Sequence, residues 1–113
     1  MNEEIEKIFS GFKVDDVIIP VEHLKYKGPL KTYVIWTILS ELPGLNGNDD
    51  DLYSVIQIDF DVYSDSNYLN IVKKVKELMK ENMWLWVEDS SEMQEEDTKL
   101  YHKTITFEKE RMI

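Results

Sequence analysis

Residues 52–82 read LYSVIQIDFDVYSDSNYLNIVKKVKELMKEN, and this stretch decides the fold. Its first half alternates. Ile56, Ile58, Phe60 and Val62 fall on one side of an extended chain; Gln57, Asp59 and Asp61 fall on the other. Residues 52–64 are therefore expected as a strand with one dry and one wet face. The second half places Tyr68, Ile71, Val72, Val75, Leu78 and Met79 at spacings of three and four, the apolar stripe of a helix over about residues 67–81. A strand with one dry face needs a cover, and a helix that follows it directly supplies one. Ser64, Asp65, Ser66 and Asn67 offer N-caps, and Asn82 is placed to end the helix in the left-handed conformation.

Downstream, residues 83–87 suit a short strand with Trp84 and Trp86 on one face and Met83, Leu85 and Val87 on the other. Two tryptophans sharing a face are core, or, if left uncovered, a binding surface. Residues 88–97 hold Glu88, Asp89, Glu92, Glu95, Glu96 and Asp97. Like charges this dense predict an extended, solvated and mobile loop with only Met93 to pin it. Residues 100–109 form the last strand. Tyr101, Ile105 and Phe107 face one way, and His102, Thr104, Thr106 and Glu108 the other.

Upstream, Ile5, Ile8, Phe9 and Phe12 give a short amphipathic helix over residues 2–12. Asn2 can cap it, Glu3 and Glu4 suit its dipole, and Gly11 marks its end. Residues 14–27 are extended, but Pro20 cannot donate to a ladder, so this piece is an edge strand or an irregular crossing. A turn at Tyr26-Lys27-Gly28-Pro29 leads to a strand at residues 31–40. Both faces of that strand carry large apolar groups. It is expected to be buried on both sides or to lie at a subunit contact, with Tyr33 and Ile35 as contact candidates. Residues 41–51 form a hairpin loop. Its run Asp49–Asp51 invites a calcium reading, but the alternate ligands, central glycine and closing glutamate of an EF-hand are missing.

The pattern predicts one α+β domain spanning residues 1–113, of the α/β class in the broad sense. Its sheet is mixed or antiparallel with four to five strands, and two helices pack on one face. A chain of 113 residues with 42% hydrophobic residues can bury a core without metal or disulfide, and it has no cysteine for either purpose. The net charge of −10, from 13 basic and 23 acidic side chains, argues against a nucleic-acid binder, because counterion release needs basic groups. It argues equally against an anionic membrane surface. No apolar run approaches the ~18 residues of a bilayer span, and the first residues lack a secretory signal pattern. A protein inside the cell that makes it is expected.

Chemistry finds little support. His23 and His102 are the two histidines, and no His-x-His or His-Glu-x-x-His spacing exists. A carboxylate of the acidic loop could reach His102, but no third ligand is indicated. There is no Gly-x-Ser-x-Gly elbow and no glycine-rich phosphate loop, with only four glycines in all. Nothing selects a carboxylate pair for acid–base work. No catalytic residue, cofactor or metal is expected. A non-enzymatic scaffold or a small acidic binding module of the regulatory or immunity type fits better than a hydrolase.

From Ser54 onward the chain resembles small tail-terminator or tail-completion proteins of long-tailed phages and prophages. The resemblance rests on Val62-Tyr63-Ser64-Asp65-Ser66-Asn67-Tyr68-Leu69, on Trp84-Leu85-Trp86-Val87, and above all on Glu95-Glu96-Asp97-Thr98-Lys99-Leu100-Tyr101-His102-Lys103 before Thr104-Ile105-Thr106-Phe107-Glu108. The family pattern there is an acidic pair, Asp-Thr-Gly, an aromatic, His, a basic residue and an apolar strand; Glu95, Glu96, Asp97, Thr98, Tyr101 and His102 carry it here. Lys99 stands where that glycine is usual, which implies a different turn at Lys99. Gln94 replaces a frequent aromatic, and Asn82 a common glycine. The match covers about half the chain well and the rest in layout only.

The resemblance implies a structural protein that closes the tail tube and joins it to the head, as a homo-oligomer, commonly a six-membered ring. Its partners would be tail-tube and head-completion proteins, first in the bacterial cytoplasm during assembly and then in the virion tail. DNA would pass through without being held. Asp59 and Asp61 are the candidates for an acidic lumen wall. Tyr33, Ile35, Trp84 and Trp86 are the candidates for subunit or partner contacts.

Overall fold

The computed structural model of the chain describes residues 2–43 and 53–112. The run Asp49–Asp51 lies outside the described residues. Helix α1 spans Asn2–Ile8 and is shorter than its periodicity suggested. Phe9 and Phe12 lie beyond it but are buried, and Gly11 turns the chain at φ +66, a value that glycine adopts without strain. Next comes a tight hairpin of β1 (Lys13–Val14) and β2 (Val17–Ile18). Asp15 and Asp16 occupy its two central positions with positive φ, the backbone of a primed two-residue turn.

The extended segment around Pro20 resolves into β3, Val21–His23, an edge strand parallel to β4, Tyr33–Pro43. Pro20 donates nothing; its carbonyl accepts from the Val34 N–H at 2.8 Å. β4 runs past its expected end at Ser40, with a register shift between Ile38 and Ser40, and pairs antiparallel with β5, Tyr53–Ser64. Helix α2 follows at Leu69–Glu81. The last strands are β6 (Leu85–Asp89), β7 (Met93–Gln94) and β8 (Tyr101–Met112). The main sheet has order β3-β4-β5-β8-β6, and β7 also pairs with β8. Its six strands exceed the expected four to five because β7 forms inside the acidic segment. The domain is α+β, with a mixed sheet and both helices on one face.

The dry face is as the alternation predicts. Ile56, Ile58, Phe60 and Val62 are buried, joined by Val34 and Trp36 from β4 and by Ile105 and Phe107 from β8. α2 covers them with Ile71, Val72, Val75 and Met79. α1 adds Ile5, and Phe9 packs on Phe60 with ring centroids 5.1 Å apart.

The helix ends depart from expectation. Asn67 accepts the Leu69 N–H through its side chain, but the N-cap position itself is Tyr68 and has no side-chain cap. At the other end Asn82 has φ −102, and Met83 is the left-handed residue at φ +70. The Met83 N–H donates to the Lys80 carbonyl and the Trp84 N–H to the Met79 carbonyl, which is a Schellman closure with Met83 in the place usual for glycine. This closure separates the tryptophans. Trp84 precedes the strand and is buried with Met79, donating its indole N–H to Glu4 of α1 at 3.0 Å. Trp86 lies in β6 and is 57% exposed. Trp84 is therefore core rather than a contact surface, and the two do not share one environment.

Candidate functional site: the open face of the sheet

Alternation puts a second set of side chains on the face that no described helix covers. Facing positions on neighbouring strands are about 4.8 Å apart, close enough for flat rings to stack. Tyr33 pairs with Tyr63, and Tyr63 with His102. Their rings form a continuous stack, with centroids 4.9 Å apart for the tyrosines and 4.2 Å for Tyr63 and His102. Tyr26 extends it at 4.7 Å from Tyr33. Tyr26 folds over Gly28, where an added Cβ would sit 2.1 Å from the tyrosine hydroxyl, so the turn needs glycine for the ring to lie there. The same hydroxyl accepts the Leu30 N–H. Burial raises the Tyr33 hydroxyl pKa and pushes that of Tyr63 to about 12, so both rings stay neutral.

Further along the strands, the layers become polar. Ile35 faces Asp61, and Asp61 faces Thr104; Thr37, Asp59, Thr106 and Glu88 line up in the next row. Asp61 accepts from the Thr104 hydroxyl at 2.6 Å and contacts His102 Nε2 at 2.9 Å. The other imidazole nitrogen, Nδ1, lies 3.1 Å from Glu95. Thr106 donates to Asp59 at 2.6 Å. The aspartates thus sit on the expected face, but half-buried and bonded rather than freely hydrated.

These contacts move the acidities. Burial pushes Asp61 upward, but His102 and Thr104 together outweigh it and hold the carboxyl below its usual value. His102 is raised, chiefly by its bond to Asp61, against the opposing pull of burial. Asp59 is raised by burial above all, and further by the nearby charges of Asp61 and Glu88.

Asp61, His102 and Thr104 have the residue types of a catalytic relay, but their connections differ. A general base needs one ring nitrogen turned toward a nucleophile. Both nitrogens of His102 meet carboxylates, and Thr104 donates to Asp61 instead. The imidazole acts as a brace that ties the turn after β7 to β5. Among the described residues no three His, Asp or Glu side chains converge to hold a metal ion.

The acidic segment is pinned by its charges, not by Met93, which is 45% exposed. Asp89 accepts from Lys76 at 2.9 Å and from the Trp86 indole at 2.7 Å, and Tyr68 donates to Glu92 at 2.5 Å. The Glu95 N–H bonds the Leu100 carbonyl, and the Lys99 N–H bonds that of Glu95. Lys99 has φ +62, a left-handed value that glycine adopts with less strain than lysine. Of the motif residues, Glu95, Thr98, Tyr101 and His102 act in this closure, Thr98 by accepting the Leu100 N–H through its hydroxyl at 3.3 Å, whereas Glu96 and Asp97 are exposed at its tip.

The sequence could not foretell the ring stack, because it joins residues 26, 33, 63 and 102 through register alone. Its one legible trace is an aromatic at corresponding ends of three alternating strands. No helix among the described residues is long and apolar enough to cross a membrane. Comparison with protein-family models and with curated proteins finds no match for this chain.

Proposed function

We propose that the chain is a non-enzymatic tail-completion protein. It closes a phage tail tube and joins it to the head as a homo-oligomeric ring, with the open sheet face toward the channel. The observation that carries this reading is the sign of that face. By the strand register, Glu22, Asp59, Asp61, Glu88 and Glu108 belong to it, while Lys103 and Lys109 face the dry side opposite Val62 and Ile56. Among the described positions of β3, β4, β5, β6 and β8 no Lys or Arg shares that face; the basic groups beside it are His102, bonded to Asp61, and Lys31, next to Tyr33 at its aromatic end. A predominantly acidic wall repels phosphate and lets a duplex pass without holding it. The half-buried aspartates, each held by a threonine hydroxyl of β8, keep that charge fixed in place. The resemblance of the second half of the chain, and the α+β layout, support the same reading, as does His102, both of whose ring nitrogens meet carboxylates.

The experiment is disruption of the coding sequence in a prophage that carries it, with electron microscopy of the induced lysate. Full heads beside unjoined tails or tails of irregular length are expected, with rescue by the wild-type gene. Normal particles in normal yield would overturn the proposal and leave the acidic binding-module reading.

A further inference from the structure

The outer side of α2 reverses the charge balance of the chain. The helix carries Lys73, Lys74, Lys76 and Lys80 against Glu77 and Glu81, in a chain with 13 basic and 23 acidic side chains. Two open grooves run along it and share Lys73 and Glu77. The first, of about 460 Å³, is lined by Leu69, Val72, Lys73, Lys76, Glu77 and Lys80. The second continues to Lys74 and to Lys13 of β1, and its Asp15 accepts from Asn70. Lys73, Lys74 and Lys80 are exposed, and no ion pair among the described residues reaches them. Lys76 meets Asp89 at 2.9 Å and lies 4.8 Å over the Trp86 ring. The groove has an apolar part as well. Leu69 is 60% exposed beside Val72, and the lysine stems extend that surface. The strip is short, about 17 Å from Leu69 to Lys80 at the helical rise. Acids close both ends: Asp65 and Glu92 stand in the cleft beyond Leu69, and Glu81 follows Lys80.

We infer that this groove docks a short acidic segment of a partner protein, with carboxylates for Lys73 and Lys80 and an apolar side chain for Leu69 and Val72. Charge complementarity selects the occupant, and the length of the strip limits it. A nucleic-acid duplex or an anionic bilayer carries its charge past both ends, where Asp65, Glu92 and Glu81 repel it. A segment with a few carboxylates stops short of those acids. An amphipathic helix laid along α2 meets the spacing, because Lys73, Lys76 and Lys80 recur at three and four residues. The groove lies on the helix side of the sheet, opposite the open face, so its occupant is independent of the channel reading above.

The test is an NMR titration of the full isotope-labelled chain with a synthetic helical peptide that carries glutamates at spacings of three and four beside a leucine stripe. A control peptide has glutamine for every glutamate. Amides of residues 69–80 and the Trp86 indole are expected to shift with the first peptide and not with the second. Lys73→Glu with Lys80→Glu should weaken binding about tenfold, as two surface ion pairs turn to repulsion. Thermal melting of that variant should stay within a few degrees of wild type, because both side chains are exposed. Leu69→Ser should weaken binding about threefold through lost apolar contact. Equal shifts with the glutamine peptide, shifts away from α2, or an unchanged affinity for the charge-reversed variant would overturn the docking site. Tighter binding of α2 to duplex DNA or to phosphatidylserine vesicles would overturn the protein partner. Shifts of the same amides on concentrating the chain alone would give the groove to a second copy instead.

Discussion

The two faces of one sheet solve different problems with the same alternating strands. On the covered face, Phe60, Ile58 and Val62 meet α1 and α2, and stability comes from apolar area removed from water. On the open face, Tyr63, Asp61 and Asp59 sit one residue away from those neighbours and meet side chains of β4 and β8 instead of a helix. That face spends hydrogen bonds and ring stacking on holding charge in position. A chain selected for stability alone gains little from fixed, half-buried aspartates. A chain that must present an acidic surface gains the surface itself.

The largest effect is expected where the contrast is greatest. Phe60→Ala removes a fully buried ring that touches Phe9 and Phe107, at a cost of about 3–5 kcal/mol against a typical total of about 5–15. Thermal melting should fall steeply or the fold be lost. A melt within a few degrees of wild type would mean that the covered face is not the core.

On the open face, Asp61→Ala strands His102 and Thr104, which share that carboxylate, and should cost about 1–3 kcal/mol while the fold survives. Amides of β7 and of the Glu95–Leu100 closure should lose hydrogen-exchange protection first, because His102 bridges Asp61 to Glu95. Loss of α2 protection before β7 would contradict the division of labour.

Titration sharpens the contrast further. His102 is raised above 6.5, so its contribution is fully present below 6.5 and is lost as pH rises through the raised folded value. Asp61 is lowered, so its contribution is present above its ordinary value of 3.8 and is lost as pH falls through the lowered one. The brace is therefore strongest between about pH 4 and 6.5. Asp59, raised, acts the other way and costs stability once ionised. Wild-type melting should decline more from pH 6 to 9 than that of His102→Gln; equal declines would remove His102 from the account.

The smallest effect belongs to the exposed tryptophan. Trp86→Ala loses the Lys76 contact over its ring and the bond to Asp89, together about 1 kcal/mol. Trp84→Ala, with the same residue type two positions earlier, should cost about 3–5 kcal/mol, since Trp84 is core. Comparable melts for the two would undo their separation.

The strand and helix of residues 53–81, the faces of β5 and β8 and the α+β class were legible because each rests on local periodicity. What escaped reading depended on distant partners. The split of Trp84 from Trp86 depends on a left-handed Met83, which propensity argues against. The bonding of the acidic segment depends on Lys76 of α2, Tyr68 at the N-cap of that helix and His102 of β8, each of which takes one of its carboxylates. Composition reports the charge density of residues 88–97 but not who neutralises it.

The central claim is that folding lives on the covered face, while the open face only holds its charged groups in place through local bonds to β8. Hydrogen exchange of the Phe60→Ala and Asp61→Ala chains, compared with wild type, tests it most directly. Phe60→Ala should lower protection throughout α2 and the centre of β5, while Asp61→Ala leaves both unchanged and lowers protection only at β7 and the Glu95–Leu100 closure. Equal loss at α2 and β5 in the two variants would contradict it.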